Sequence, residues 1–319
     1  LPYTEATLAP MDDPPEPPAA PLVAPPWRFA GIAWALFSSV CFSAMNALGK
    51  RSADLRIPLV DTLFWRAVII FAVSYALLRA QDVPLRPRAV GWMLYRSVVG
   101  IGGTAAFFYA LGEIPLAAVS TLHHTAPLFI AAFGGRLLGE GSSWSRTLWT
   151  LLAFLGVLLL VGGGDIHLDR GSFAAFASGF LSAQAYMMVR RMRDTDPPAR
   201  IVFWFALWSV LTAGLATLWL HGLPRYSALQ IATLLGLGLS AAGGQLAITY
   251  AYRLEKATVL APFAYASVLF SFLLGLVFWN DRLSLTAALG TLLVVVSGVM
   301  VGRSAQAEEP ASSREQPAR

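Results

Sequence analysis

GGTAAFFYALGEIPLAAVSTLHHTAPLFIAAFGG, residues 102–135, lies over GGQLAITYAYRLEKATVLAPFAYASVLFSFLLGL, residues 243–276, when the chain is shifted against itself. Gly102/Gly243, Gly103/Gly244, Ala106/Ala247, Tyr109/Tyr250, Ala110/Ala251, Leu128/Leu269, Phe129/Phe270 and Gly134/Gly275 are identical, and Glu140 meets Asp281. A nearly equal shift aligns the preceding parts through Phe37/Phe176, Ser39/Ser178, Ser43/Ser182, Arg51/Arg190, Phe64/Phe203 and Trp65/Trp204. One identity in apolar sequence means little. Collinear identities at a nearly constant offset along both halves indicate an internal repeat.

The repeated unit is a membrane unit. Of 319 residues 56% are hydrophobic and 13% charged, against about 25% charged in a soluble domain. The apolar residues come in long blocks, and a helix needs about 20 of them to cross a hydrocarbon core of ~30 Å. Ten spans are expected, at roughly 29–48, 60–79, 90–110, 115–137, 146–163, 171–190, 201–220, 228–250, 257–279 and 285–302. Strands of a barrel would instead alternate over about 10 positions. The expected fold is therefore an all-α integral membrane bundle. Residues 29–163 form the first repeat, 164–170 the joint (including most of the glycine-rich VGGGDIHLD at 161–169) and 171–302 the second repeat. Each repeat holds five spans. Five is odd, so the second repeat enters from the opposite side, an inverted topology that secondary transporters use to rock around a central cavity.

Both tails read differently. Residues 1–28 are rich in proline and the chain from 303 to 319 is polar, so both are expected to be disordered and cytoplasmic. Met11 is a candidate start, which would leave LPYTEATLAP outside the native chain. No basic segment followed by a small-residue cleavage site precedes the first span, so that span is expected to be retained. With the N-terminus inside, thirteen Lys and Arg up to Arg303 fall on the cytoplasmic side and six on the other. The positive-inside rule then puts both termini in the cytoplasm of an inner-membrane protein. The formal charge of +5 reports that orientation and not nucleic-acid binding. Cys41 is the only cysteine, which excludes an internal disulfide or a cysteine metal cluster.

TAPLFIAAFGGRLLGEGSSWSRTLWTLLAFLGVLLLVGG, residues 125–163, resembles the end of an EamA-type domain of the drug/metabolite transporter superfamily. YASVLFSFLLGLVFWNDRLSLTAALGTLLVVVSGVMVG, residues 265–302, resembles a second copy, with Asp281 where glutamate is usual. FWRAVIIFAVSYALL, residues 64–78, carries Arg66 where that family commonly has an arginine early in the second helix. The resemblance covers about residues 29–302. It implies a ten-helix exporter of small metabolites with the fifth and tenth helices peripheral, placed nearest the bacterial amino-acid exporters.

His123 and His124 are the most conspicuous polar pair inside a span. Adjacent helical residues point about 100° apart, and metal pairs on helices sit at i and i+4. No carboxylate shares their span, so neither a metal site nor a hydrolytic pair is expected. Either they hydrogen-bond within the bundle or at least one lines a water-filled cavity. Nine residues of helix after Pro115 bring His124 roughly 14 Å into the bilayer, close to its midplane. Tyr265 is its counterpart in the second repeat. Pro127 and Pro262 follow or precede these rings; each is either a packing kink or a break that frees a carbonyl for substrate.

Asn46, Thr104, Tyr109, Gln184, Tyr186, Trp204, Trp208, Gln245 and Tyr250 fall at comparable depth. Amides and hydroxyls hold carboxylate and ammonium groups without a formal charge, and aromatic rings offer apolar or cation–π surface. The candidate substrate contacts are therefore Asn46, Tyr109, His123, His124, Gln184, Trp204, Gln245 and Tyr265. Gln184 and Gln245 are either that or interhelical glue. Arg66 and Arg96, a turn or so inside their spans, either snorkel or stand at a cavity mouth; with Pro127 and Pro262 they are the candidate gating residues. Trp27, Trp92, Trp144, Trp219 and Trp279 mark span ends as interface anchors.

No acidic residue stands at mid-span. Small multidrug members of the resembled superfamily exchange protons on a glutamate of the first helix, and GIAWALFSSVCFSAMNALG, residues 31–49, has none. A carboxylate-driven cationic drug antiporter is thus disfavoured, while coupling through His123 or His124 and uncoupled diffusion both remain open. There is no nucleotide-binding GxxxxGK[ST] loop, no catalytic constellation, and no cofactor is implied. The expected function is export of a small polar metabolite, an amino acid first, by a functional monomer in the bilayer. The alternative is a nucleoside-like or lipid-linked sugar substrate, and a membrane enzyme or sensor ranks third. In a Cys41→Ser background, a cysteine introduced as Ser304→Cys should react with a membrane-impermeant maleimide only from the cytoplasmic side; reaction from outside in intact cells would reverse the orientation.

Overall fold

A computed structural model describes residues 29–113, 119, 122–139, 144–161, 169–220, 222, 225–278 and 285–307. Both tails, Pro115, Glu140, Asp281 and most of VGGGDIHLD lie outside these residues. All regular structure among them is helical: α1 (Ala30–Asp54), α2 (Leu59–Ala80), α3 (Val90–Glu113), α4 (Ala126–Leu138), α5 (Trp144–Val161), α6 (Arg170–Arg191), α7 (Pro198–Leu220) and α8 (Ala228–Leu254). A helical turn (Ala257–Leu260) and a 3-10 segment (Ala261–Tyr265) lead into α9 (Ala266–Phe278), and α10 (Leu285–Ala307) follows. Stretches of α1, α2, α6, α7 and α8 are long and apolar enough to cross a membrane, and shorter apolar stretches lie at 126–138, 144–159, 257–270 and 288–301.

Leu, Val and Phe cover the outside and small residues fill the inside. Leu215, Leu239 and Leu289 are exposed, whereas Ala183, Ala241 and Ala247 are fully buried. Small interior residues let helices approach closely where lipid gives no hydrophobic drive to associate. The most extensive pairings are α1 with α8, α3 with α6, α5 with α10, and α2 with α7. Each joins a helix of the first half to one of the second. At α5–α10 the backbones nearly touch: a Cβ on Gly156 would lie 2.8 Å from the Gly290 carbonyl oxygen.

Hydroxyls inside the helices bond to their own preceding turn. Ser43 donates to Ser39 O at 2.7 Å, Ser74 to Ile70 O at 2.7 Å and Thr249 to Gln245 O at 2.7 Å. This four-residue back-bond satisfies a polar group without a partner helix. Trp144 and Trp219, read as interface anchors, are among the most exposed side chains at 78% and 86%.

One end of the bundle is closed by a buried ion pair. Asp196, before α7, takes Arg200 Nη1 at 3.2 Å, and both side chains are almost fully buried. The same carboxylate accepts the backbone N–H groups of Arg88 and Ala89, each at 3.0 Å, at the start of α3. Arg200 Nε donates to Pro84 O at 2.8 Å and Trp204 Nε1 to Leu85 O at 2.8 Å. The first turn of α7 thus holds the α2–α3 loop. Asp196→Ala would leave a buried guanidinium without its counter-ion, so it should lower stability by about 3–5 kcal/mol, read as an early melting transition in detergent; Arg303→Ala, at an exposed position, serves as the surface control.

Candidate functional site

The span that begins the site is not one continuous helix. Leu122 and His123 are helical, His124 and Thr125 form a turn, and α4 starts at Ala126 with Pro127 in its first turn. Proline offers no N–H to His123 O one turn back, and at the turn itself Thr125 donates both its backbone N–H, at 3.2 Å, and its hydroxyl, at 2.6 Å, to Leu122 O. The second half has a comparable irregularity, the 3-10 segment Ala261–Tyr265 with Pro262 at its start.

A serine of a neighbouring helix meets each break. Ser178 of α6 lies 2.9 Å from His123 Nδ1. The Ser39 hydroxyl of α1 lies 3.3 Å from Phe263 O beside its shorter bond to Ala35 O at 3.0 Å, and the Ser43 hydroxyl lies 2.8 Å from Ser267 O beside its bond to Ser39 O. Ser178 and Ser39 are the residues matched by the internal shift. Because the Ser178 hydroxyl is spent on Ala175 O at 2.7 Å, it accepts from His123, which assigns the Nδ1–H tautomer. Ser267 likewise donates to Ala264 O at 2.8 Å, and its hydroxyl lies at the long distance of 3.4 Å from His124 Nε2.

The two imidazoles diverge as adjacent helical residues must, their planes at 86°. His123 meets the Phe107 ring edge-to-face at 4.9 Å. His124 faces Tyr265 with ring centres 6.4 Å apart. Tyr265 is fully buried and packs with Ala153, Val157 and Val294 on the α5–α10 side. No group of three or more potential metal ligands occurs among the described residues.

The other candidates spread over the bundle. Gln184 of α6 is half-buried and Gln245 of α8 is buried at 5% exposure. Asn46 is exposed, and so is Tyr109 at 49%. Trp204 is tied to the α2–α3 loop at one end of the bundle. Arg66 and Arg96 share an electrostatic neighbour, Tyr186 of α6, and Arg66 lies within electrostatic reach of Arg96. Arg96 is 2% exposed, with its guanidinium 3.8 Å over the Phe205 ring of α7. Arg96 thus lies inward against an aromatic ring, while Arg66 is half-buried.

Ser178, Ser267 and Phe205 were not legible as site residues. Ser178 carried a signal, its match to Ser39. Phe205 carried none, since its role depends on how α3 crosses α7.

Residues 29–162 and 169–303 each match the EamA-like transporter family. The chain belongs to that family. Two copies of the family domain therefore occupy most of the chain, in a multi-pass membrane protein. Among EamA-like relatives, a pseudopaline exporter of Pseudomonas aeruginosa is 29% identical over 86% of this chain and 96% of its own length. A riboflavin transporter of Vibrio cholerae is 26% identical over 83% of this chain and 91% of its own. Human solute carrier family 35 member G1 is 27% identical over 84% and 78%. A crystal structure superposes with a TM-score of 0.74 at 22% identity, covering 88% of this chain and 99% of that one, which supports the fold alone.

Gly179 fixes how α6 meets the broken span. A Cβ there would stand 2.6 Å from Thr125 Oγ1, 2.8 Å from His123 O and 3.0 Å from Leu122 O. Two of these atoms are backbone and cannot rotate away. Gly179→Ala should therefore displace the histidine turn and destabilise the fold by about 1–3 kcal/mol, measured by thermal melting; an unchanged midpoint would mean that the turn moves freely.

Proposed function

We propose that this protein is a secondary transporter that exports small polar metabolites, amino acids first among them, across the inner membrane by alternating access. Its substrate is a small molecule and its setting the lipid bilayer. The observation that carries the reading is the repeated contact at the two helix breaks, Ser178 on His123 and Ser39 on Phe263. Equivalent serines on equivalent helices approach equivalent breaks. That favours ten spans arranged as two inverted repeats, the architecture in which broken helices surround a midplane site; the cytoplasmic placement of both termini rests on the positive-inside count.

The helix pairings support the same exchange. Swapping the halves sends α1–α8 onto α6–α3 and returns α2–α7 and α5–α10 to themselves. The ends also correspond. Arg200 and Trp204 of α7 hold one loop, while their shifted partners Asp61 and Trp65 lie at the other end of α2. There Asp61 accepts from Thr217 at 3.3 Å and Trp65 meets Tyr226 edge-to-face at 6.2 Å. Gln230 of α8 donates to Leu55 O at 3.1 Å across that end. Loosening one end while the other stays latched would expose the interior alternately.

His123, His124, Gln184 and Gln245 are the proposed substrate contacts near mid-depth, with Pro127 and Pro262 providing the breaks. One chain holds both repeats, so it works as a monomer. Export, and not uptake, follows the direction named for the pseudopaline exporter. An apolar groove of about 320 Å³ between α4 and α5, lined by Leu128, Phe133 and Leu151 among others, offers room for an acyl chain and is the observation on the side of a lipid-linked substrate.

Proteoliposomes assayed with labelled amino acids, with and without a pH gradient, test the proposal. Saturable movement abolished by His124→Ala or Gln245→Ala in folded protein is the expected result. Movement of riboflavin or a lipid-linked sugar with no amino-acid movement would replace the substrate, and no movement of any solute would overturn transport itself.

A further inference from the structure

Arg96 is the least reconciled side chain in the bundle. Its guanidinium is buried, yet Nε and Nη1, which carry most of its N–H donors, have no hydrogen-bond partner. The Phe205 ring below it supplies a cation–π contact at 3.8 Å. That contact leaves the in-plane N–H groups unsatisfied, since a ring face engages the flat side of the fork. Arg66 from α2 is half-buried and shares the locale, and among the described residues neither arginine has a carboxylate partner. Tyr186 stands beside them, stacked at 5.4 Å on Tyr252 of α8. Helices α2, α3, α6, α7 and α8 therefore all contribute to one cluster.

Two like charges without a counter-ion, in a medium that solvates ions poorly, repel each other and keep their desolvation cost. A fold that retains both has a reason to keep an anion-shaped vacancy in its charge balance. Planar guanidinium N–H groups match a carboxylate, whose two oxygens accept in the same plane. A phenolic hydroxyl can donate to the same oxygens. Phe205 and the Tyr186–Tyr252 stack supply apolar surface on either side of the cluster.

We propose that Arg66 and Arg96, with the Tyr186 hydroxyl, seat the carboxylate of the transported molecule, so that the protein selects small carboxylates over their uncharged amides. The inference rests on the transporter reading for the word transported, but binding at this seat stands independently of it. Arg96 and Arg66 are contact residues in this scheme. Phe205 is a positioning residue, holding the guanidinium flat so that its edge faces the anion.

The test uses the full-length protein in nanodiscs and reads thermal stabilisation. The probes are a panel of L-amino acids, the matching amino-acid amides, and inorganic phosphate. Carboxylates should raise the melting midpoint and the amides should not. Arg96→Gln and Arg66→Gln should each weaken the carboxylate response by on the order of ten- to a hundredfold in midpoint concentration, the loss of one charge-assisted contact. Without ligand, Arg96→Gln should melt no earlier than wild type, because an unpaired buried charge has been removed. A purely structural arginine would do the opposite, and an early melt of the unliganded variant would overturn the proposal. Arg96→Lys keeps the charge without the planar fork; it should bind more weakly than wild type and more strongly than Arg96→Gln. Equal stabilisation by acids and amides, or by phosphate alone, would also overturn it. If Arg-dependent carboxylate binding is found and proteoliposomes move no solute, the seat stands and the transport reading falls. If wild type transports and both glutamine variants transport equally well, the transporter stands and the seat falls.

Discussion

A polar group inside hydrocarbon must find its partner within the protein, and most of this bundle follows from that constraint. The serines and threonines of the spans satisfy it locally, by donating one turn back along their own helices. The helix breaks satisfy it through neighbours: Thr125 caps the carbonyl left by the turn at His124, and serines of α1 and α6 reach the segments around Phe263 and His123. Even the loop between α2 and α3 is held this way, by Asp196, Arg200 and Trp204 acting on its backbone.

Close approach is the second condition, and it depends on the first. Side-chain hydroxyls and free carbonyls reach across an interface only if backbones come within a few ångströms. Gly156 against Gly290 and Gly179 against the His123 turn supply that proximity, where a methyl group would collide with backbone oxygen. The dominant pairings cross from one half of the chain to the other, so neither half packs its interior by itself. The seams between the halves are rich in glycine and alanine, with polar contacts such as Asp196–Arg200 and Gln230–Leu55 near the helix ends.

Against this background Arg96 is the buried guanidinium on an aromatic ring whose Nε and Nη1 find no partner among the described residues. An arginine lying on a phenyl ring with its N–H edges unbonded is well placed for something that arrives from outside the chain. Its neighbours Arg66 and Tyr186 reinforce the same polarity. The histidines differ: each lies against a serine, so they are integrated into the structure while still lying beside the helix break.

Fold class was largely legible in the residues. Long apolar blocks allow only helices in a bilayer, because periodicity and length depend on local sequence alone, and the collinear identities from Gly102/Gly243 to Gly134/Gly275 announce two copies of one unit. The breaks were also foreshadowed, since Pro127 and Pro262 remove a backbone donor wherever they sit. The candidate site was only partly readable. That His123 and His124 diverge follows from helix geometry, but that Ser178 and Ser267 receive them depends on which helices become neighbours. Arg66 and Arg96 read as residues of two separate faces, because depth along a helix says nothing about where a long flexible side chain is drawn. The sequence by itself determined a helical, two-copy membrane transporter of the EamA-like family. Only tertiary structure decided that Arg96 of α3 lies over Phe205 of α7, within electrostatic reach of Arg66 and Tyr186, because convergence is set by the crossing of helices and not by spacing along any one of them.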